Sequence, residues 1–393
     1  MEPSRGPRFA ILASRIFDGF VLGGPGAVLV EDGKIKGIGL PADVPSDLPR
    51  AELPEGATLA PGFIDLQVNG GGGVLLNDAP TVDSMRAIAA AHRRFGVTGL
   101  LPTFITDAPA GLRALVAAAP AAVAEIPGVL GVHCEGPFIN TARKGVHRED
   151  FIRTPGEGDI EALLSLGRAG RSMVTLAPES VPAGFVASLA RAGIRVSAGH
   201  SDASAAQVLA AADEGLTGVT HLFNAMSQMQ GRAPGVVGAA MADKRLFVGV
   251  IADGLHVDPV ALRTAYAACG AERLMLVSDA MSSVGAEADR FVLMGREVRL
   301  QDGRLTTAEG TLAGAHLAMD QAVRNAVSLM AVPIEHALAM AARIPATFLG
   351  LGHELGRIAP GYTASLVALD QNLDVIGTWI AGQPDFRPGD PSA

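Results

Sequence analysis

Polar and apolar positions alternate in two different ways along this chain. The first sixty residues read as short strands. Phe9 to Ser14 and Ala27 to Val30 are strand-like, and Asp32-Gly33 is a hairpin turn signal. Leu40 to Gly56 is rich in proline and charge and reads as a connecting loop. The C-terminal end has the same texture, with β-like Ala364 to Ala368 and Val375 to Ala381, and with Pro360-Gly361 and Gly382 as breakers. Two β-rich ends around a different middle predict one small β-sandwich domain built from residues 1–60 plus 354–393.

The middle, residues 61–353, repeats a second pattern. Short apolar runs occur at 62–70, 97–104, 129–138, 173–179, 195–201, 218–226, 247–254 and 274–281. Between most of them lie Ala/Leu-rich stretches with helical spacing, such as Asp83 to Phe95 and Ala205 to Ala212. Gly96, Gly193 and Gly215 follow such stretches as helix C-terminal caps. Eight strand-helix alternations predict an α/β fold, a (β/α)8 TIM-like barrel, with an open doubly wound sheet as the alternative. Asp302-Gly303 between Arg296–Leu300 and Leu305–Thr307 reads as a hairpin inserted after the eighth strand.

The polar residues inside the apolar runs carry the chemistry. Barrel enzymes place their active sites at the C-terminal ends of the strands. Asp65, Gln67 and Asn69 fall there on the first run, and His133 and Glu135 on the third. His200 ends the fifth run, His221 lies in the sixth, Asp253 ends the seventh and Asp279 ends the eighth. A barrel would bring all of them together. Two imidazoles and one carboxylate with an open position match a catalytic zinc site, where the pKa of bound water falls toward about 7. Asp279 would take that water's proton and pass it to a leaving nitrogen. Buried unpaired charges are too costly to collect without a metal or one another.

Composition narrows the field. Hydrophobic residues make up 49% of the 393 positions and charged residues 18%, which a large buried core requires and general disorder excludes. A net charge of −9 argues against a nucleic-acid surface, so an anionic substrate needs locally concentrated cations. Cys134 and Cys269 are the only cysteines, which excludes a disulfide framework and a cysteine zinc site and suits a cytoplasmic setting. Met1 to Ala10 carries Arg5 and Arg8 with no apolar stretch after them, so no signal peptide is expected. No apolar run approaches the ~18 residues of a membrane-spanning helix.

A series of motifs runs in order along the chain. They are Pro61-Gly62-Phe63-Ile64-Asp65, Gln67-Val68-Asn69-Gly70, His133-Cys134-Glu135-Gly136-Pro137-Phe138 and Lys144-Gly145-Val146-His147. Ala177-Pro178-Glu179, Ala198-Gly199-His200-Ser201 and Thr220-His221-Leu222-Phe223-Asn224-Ala225-Met226 follow. Gly231-Arg232, Ile251-Ala252-Asp253-Gly254-Leu255-His256 and Ser278-Asp279-Ala280 complete the series. Together they resemble the motifs of the N-acetylglucosamine-6-phosphate deacetylases of the amidohydrolase superfamily, and the resemblance spans essentially the whole chain. It implies that Glu135, His200 and His221 hold one divalent ion per subunit, zinc first and iron, manganese or cobalt as alternatives. Asp279 would be the acid/base, and His147 would polarise the acetyl carbonyl and steady the oxyanion. Arg232 and His256 would meet the sugar phosphate. Asn224 and Ala225 would add polar contacts, and Val146, Leu312 and Gly314 would help frame the sugar. The resemblance also suggests a homodimer, with a phosphate contact supplied across its interface.

One departure matters. Many amidohydrolases carry His-x-His after the first strand, whereas this chain has Gln67-Val68-Asn69. Amides are poor zinc ligands, so a second metal site should be absent or weak. Gln67 and Asn69 then become hydrogen-bonding partners of the substrate or the ligands, a form some deacetylases of the family share. The expected reaction is deacetylation of N-acetylglucosamine 6-phosphate. Its alternatives are the galactosamine epimer, a cyclic-amide hydrolase of the same superfamily, and a metal-free binding protein. The cyclic-amide reading wants a barrel-strand lysine that the apolar runs do not supply. Several other residues read as ordinary structure: His133 beside the ligands, Asp253 orienting His256 or capping its loop, Cys134 in the core, Gly70–Gly73 as a loop, and His92, His316, His336 and His353 as packed or surface histidines.

Overall fold

The computed structural model describes residues 8–386; Arg5 and the outermost ends of the two terminal segments lie outside that range. Eight parallel strands form one sheet: β1 (Phe63–Val68), β2 (Val97–Ile105), β3 (His133–Glu135), β4 (Met173–Leu176), β5 (Arg195–Ala198), β6 (Gly218–Val219), β7 (Phe247–Val250) and β8 (Leu274–Leu276). Each pairs with its sequence neighbour. A parallel bridge between Val68 and Ala280 draws the two ends together, so the sheet is a nearly closed TIM barrel rather than an open layer.

Local signals set the crossover helices. Thr81 Oγ1 accepts from Ser84 N to start Val82–Arg93, and Ser204 with Gln207 forms a reciprocal cap on Ala205–Asp213. Gly96 and Gly193 follow their helices at φ of 83° and 85°, a conformation that disfavours a Cβ. The helices bury Ile88, Leu115, Leu189, Val208 and Leu262 against the outside of the strands in one continuous core.

Both chain ends enter a second layer. A six-stranded sheet runs in the order Gln383–Phe386, Val375–Ile380, Leu366–Leu369, Thr58–Pro61, Arg15–Phe17, Leu22–Gly23. Strand alternation makes it a shared wall. Val367 and Leu369 face the barrel core, while Leu366 and Ala368 face a separate cluster with Ile11, Ile35, Leu59 and Trp379. A four-stranded sheet, in the order Lys34–Gly39, Gly26–Glu31, Arg8–Ala13, Arg50–Glu52, closes over that cluster.

Four expectations change. The loop read at Leu40–Gly56 contains a strand, Arg50–Glu52, paired in parallel with Arg8–Ala13. Its Arg50 and Glu52 are exposed, so no apolar alternation announced it. The inserted hairpin gains a third strand, Arg290–Leu293. Gly70–Gly71 does not stay a loop but pairs with Val74–Leu75. Finally, the apolar runs overstate the strands. β6 ends at Val219, so His221 lies beyond it rather than within it.

Candidate active site

The site begins where the strands stop. His200, His221 and Asp279 each lie two or three residues past β5, β6 and β8, at φ of 49°, 34° and 50°. Ala225 and Phe223 also have left-handed backbones, at 49° and 76°. Non-glycine residues adopt this region at a cost of about 1–3 kcal/mol each, and such strain concentrates at functional sites. The barrel holds these turns by main-chain bonds: Asn140 N–H donates to His200 O at 2.9 Å, Leu222 N–H to Gly249 O at 2.8 Å and Ala315 N–H to Asp279 O at 2.9 Å.

Three donor atoms meet there. Glu135 Oε1 is 3.1 Å from His200 Nε2 and 3.0 Å from His221 Nε2, and the two nitrogens are 3.1 Å apart. Bonds of 2.0–2.1 Å from one tetrahedral ion would set such ligands roughly 3.3 Å apart. The observed triangle is within a few tenths of an ångström of that, and this N2O donor set fits a divalent ion. Among the described residues it is the one group of three or more His, Cys, Asp or Glu side chains that could hold one. His200 is oriented from behind, because its Nδ1 donates to Arg143 O at 2.9 Å.

Asp279 stands beside the triangle. Gln67 Nε2 donates to its Oδ1 at 3.0 Å and Asn69 Nδ2 to the same oxygen at 2.7 Å. Gln67 Nε2 also lies 3.2 and 3.1 Å from the two oxygens of Glu135. Burial, with the Glu135 charge adding to it, raises the Asp279 carboxyl to about 6. Burial would also raise Glu135, but hydrogen bonds from His200 and His221 hold it well below the usual carboxylate range. His147 is buried, and burial followed by the proximity of His200 keeps its ring well below the usual imidazole range. Its Nδ1 lies 2.7 Å from Thr106 Oγ1, and its ring sits 4.2 Å from that of His200.

A cavity with about 160 Å³ of room for water-sized spheres opens on this centre. Asn69, Glu135, Val146, His147, His200, His221, Asn224, Ala225, His256, Asp279, Leu312 and Gly314 line it. Gln67 is buried just behind the wall. Arg232 is not brought there: it is exposed and absent from the lining. Asp253 serves both of its expected uses. Its Oδ1 accepts from the main-chain N–H of Leu255 and His256, and its Oδ2 accepts from His256 Nδ1 at 2.6 Å. Asn69 Oδ1 is buried with no hydrogen-bond partner, an acceptor left over on the cavity wall. His133 instead faces down the barrel, bonded to Thr175 Oγ1 at 2.7 Å. Thr106, which touches His147, was missed in the sequence although it directly follows β2.

Comparisons with known proteins agree with this arrangement. The amidohydrolase family profile matches residues 58–385. An N-acetylgalactosamine-6-phosphate deacetylase from Shewanella sp. (strain ANA-3) is 41% identical over 361 residues, covering 91% of each chain. An N-acetylglucosamine-6-phosphate deacetylase from Haemophilus influenzae is 35% identical over 86% of this chain and 91% of its own. The crystal structure of the N-acetylglucosamine-6-phosphate deacetylase from Pasteurella multocida superposes with a TM-score of 0.92 at 35% identity, over 96% of this chain and 99% of that one. A Mycobacterium smegmatis deacetylase in complex with N-acetyl-D-glucosamine-6-phosphate reaches 0.88 at 33% identity, over 97% and 100%. The chain therefore belongs to the amidohydrolase family of metal-dependent hydrolases, which act on carbon–nitrogen bonds.

Proposed function

We propose that this chain hydrolyses the acetamide of N-acetylglucosamine 6-phosphate, releasing acetate and glucosamine 6-phosphate in amino-sugar metabolism. The observation that carries the reading is the meeting of Glu135, His200 and His221 beside Asp279 in a cavity that His147 and His256 also line. Glu135, His200 and His221 would hold one divalent ion, with zinc the first choice for an N2O donor set. When bound, such an ion supplies Lewis acidity and a water of lowered pKa. Asp279 Oδ2 remains available to take the water's proton as the water oxygen bonds the acetyl carbon, because Gln67 and Asn69 both occupy Oδ1. Asp279 then returns the proton to the amine nitrogen as the carbon–nitrogen bond breaks. His147 faces the acetyl oxygen and donates to it as negative charge develops.

His256, Asn224 and Ala225 would take the phosphate, with Val146, Leu312 and Gly314 against the sugar. Arg232 would complete that site from a second copy of the chain. This reading is supported by its exposure, its absence from the wall of its own cavity and the −9 net charge, which makes each local cation count. Arg232→Ala should then raise KM for the sugar phosphate with little loss of kcat, in a protein that sediments as a dimer. The two free cysteines, both buried, suit a reducing cytoplasm. Among the described residues no helix is long and apolar enough to cross a membrane. We divide the chain into a β domain of residues 1–60 plus 354–393 and a barrel of 61–353, and the two separate core clusters support that division.

The galactosamine epimer is the second reading. Two relatives named for it are 41% and 39% identical, against 35–38% for six named for the glucosamine epimer. Acetate release measured side by side on the two 6-phosphates tests both. A higher kcat/KM on the glucosamine epimer supports the first reading, and a higher value on the galactosamine epimer replaces it.

A further inference from the structure

Glu179 ends the Ala177-Pro178-Glu179 motif, yet it lines neither the cavity nor the metal triangle. It sits three residues past β4, on the short 3-10 turn Pro178–Ser180. Strand order places β4 between β3, which carries Glu135, and β5, which leads to His200. The half-buried carboxylate accepts three hydrogen bonds, all from the loops on either side. Oε1 accepts from Asn140 Nδ2 at 3.0 Å and from the main-chain N–H of Asp202 at 2.6 Å, and Oε2 accepts from Ser201 Oγ at 2.7 Å. Hydrogen bonds to a charged acceptor are roughly twice as strong as neutral ones.

Both arms of this clamp end on His200. On the β5 side, Ser201 and Asp202 directly follow it. Ser201 Oγ also accepts from Ala203 N–H at 3.1 Å, so its hydroxyl is held through its proton and through a lone pair. On the β3 side, Asn140 uses the two ends of its amide differently. Nδ2 is tied to Glu179, while Oδ1 caps the turn Thr141–Arg143 by accepting from Ala142 N–H at 2.9 Å. The main-chain N–H of Asn140 donates to His200 O at 2.9 Å. Arg143, the last residue of that turn, supplies the carbonyl that lies 2.9 Å from His200 Nδ1. A carbonyl can only accept, so Nδ1 carries a proton and that edge of the ring is set. His200 needs such support. Its φ of 49° is unfavourable for a residue with a side chain, and a strained backbone persists only where its surroundings over-determine it.

We propose that Glu179 is a positioning residue for His200: its carboxylate locks the loops after β3 and β5 to each other, and through Asn140 and Arg143 O it fixes the ring that faces Glu135 and His221. The Arg143–Asp202 ion pair spans the same two loops at 2.8 Å, but it is exposed, and exposed pairs contribute little. Glu179 therefore carries the clamp. Its effect on metal affinity rests on the triad reading above; its effect on the His200 ring does not.

Heteronuclear NMR of the metal-free protein, labelled at its histidines, reads the ring directly. Wild type should show a slowly exchanging Nδ1–H signal for His200, assigned by its absence from His200→Gln. In Glu179→Ala that signal should be lost. In Glu179→Gln, which keeps an oxygen for Asn140 and Asp202, it should survive. The zinc dissociation constant should rise about tenfold or more in Glu179→Ala and much less in Glu179→Gln. The visible spectrum of the cobalt-loaded protein should change in Glu179→Ala only. Ser201→Ala removes a single bond of the clamp and should give a smaller rise, which keeps the question open to measurement if Glu179→Ala does not fold. Glu214→Ala is the control for general loosening: its carboxylate also accepts from a main-chain N–H, that of Gly184, at 3.0 and 3.1 Å, but from neither loop. The proposal is overturned if wild type lacks the His200 signal, if Glu179→Ala keeps it, or if Glu214→Ala loses it equally. Should wild type show the signal and Glu179→Ala lose it while wild type binds no divalent ion, the triad reading fails and the clamp stands.

Discussion

Asn69 Nδ2 donates to Asp279 Oδ1 at 2.7 Å, from a position just past β1 where many amidohydrolases carry a metal-binding histidine. The amide is thereby turned from ligand to brace. It fixes one oxygen of the proposed acid/base and leaves the other for the water. Hydrogen bonds to charged groups contribute about 1.5–3 kcal/mol, and 1.36 kcal/mol is tenfold in rate. Asn69→Ala is therefore expected to lower kcat by about 10- to 100-fold with the metal content unchanged. A kcat within experimental error of wild type would remove the bracing role.

The same substitution pattern sets the metal count. Gln67 and Asn69 give their N–H groups to carboxylates, and their amide oxygens are weaker ligands for a zinc-like ion than the imidazoles that many amidohydrolases carry there. Elemental analysis of protein purified without chelator should give one divalent ion per chain. Two tightly held ions would revive the cyclic-amide alternative.

His147 depends on Thr106. The buried ring is neutral and so has one N–H to give. Thr106 Oγ1 has one proton and two possible acceptors, His147 Nδ1 at 2.7 Å and Glu135 O at 3.4 Å. The proposed role needs the ring proton on Nε2, so Thr106 must give its own proton to Nδ1, the shorter of its two contacts, rather than to Glu135 O. Thr106→Val should lower kcat by about tenfold or more with KM little changed, and Thr106→Ser should keep most of the activity. Equal losses in both variants would point to packing instead.

His92 couples pH to stability. It is fully buried, with Nε2 bonded to Gly70 O at 2.8 Å, and burial lowers its ring from 6.5 to about 4. The unfolded chain therefore binds the proton first as pH falls, so stability is lost between about 6.5 and about 4. The size is up to about 3 kcal/mol at 1.36 kcal/mol per pKa unit. Urea unfolding of wild type and His92→Gln at several pH values checks it. The stability advantage of wild type should shrink as pH drops through that window, and a constant difference would contradict it.

The barrel was legible because buried parallel strands leave apolar runs, and the helices because their helical spacing ends at glycines such as Gly96 and Gly193. Arg50–Glu52 was not, since an exposed edge strand pairs through its main chain and its side chains show no period. The Glu135, His200 and His221 group that could hold a metal was legible as polar residues inside apolar runs. The left-handed turns at His200, His221 and Asp279 were hidden, because backbone strain is a property of the closed barrel and not of residue type. Arg232 stood out only through its neighbours in the motif, and the single chain leaves it exposed on the surface.

Acetate release from N-acetylglucosamine 6-phosphate, followed before chelation, after it and on adding back one equivalent of zinc, tests the central claim most directly. The account predicts turnover that is lost with the metal and restored by that equivalent. Undiminished acetate release from the metal-stripped protein would contradict it.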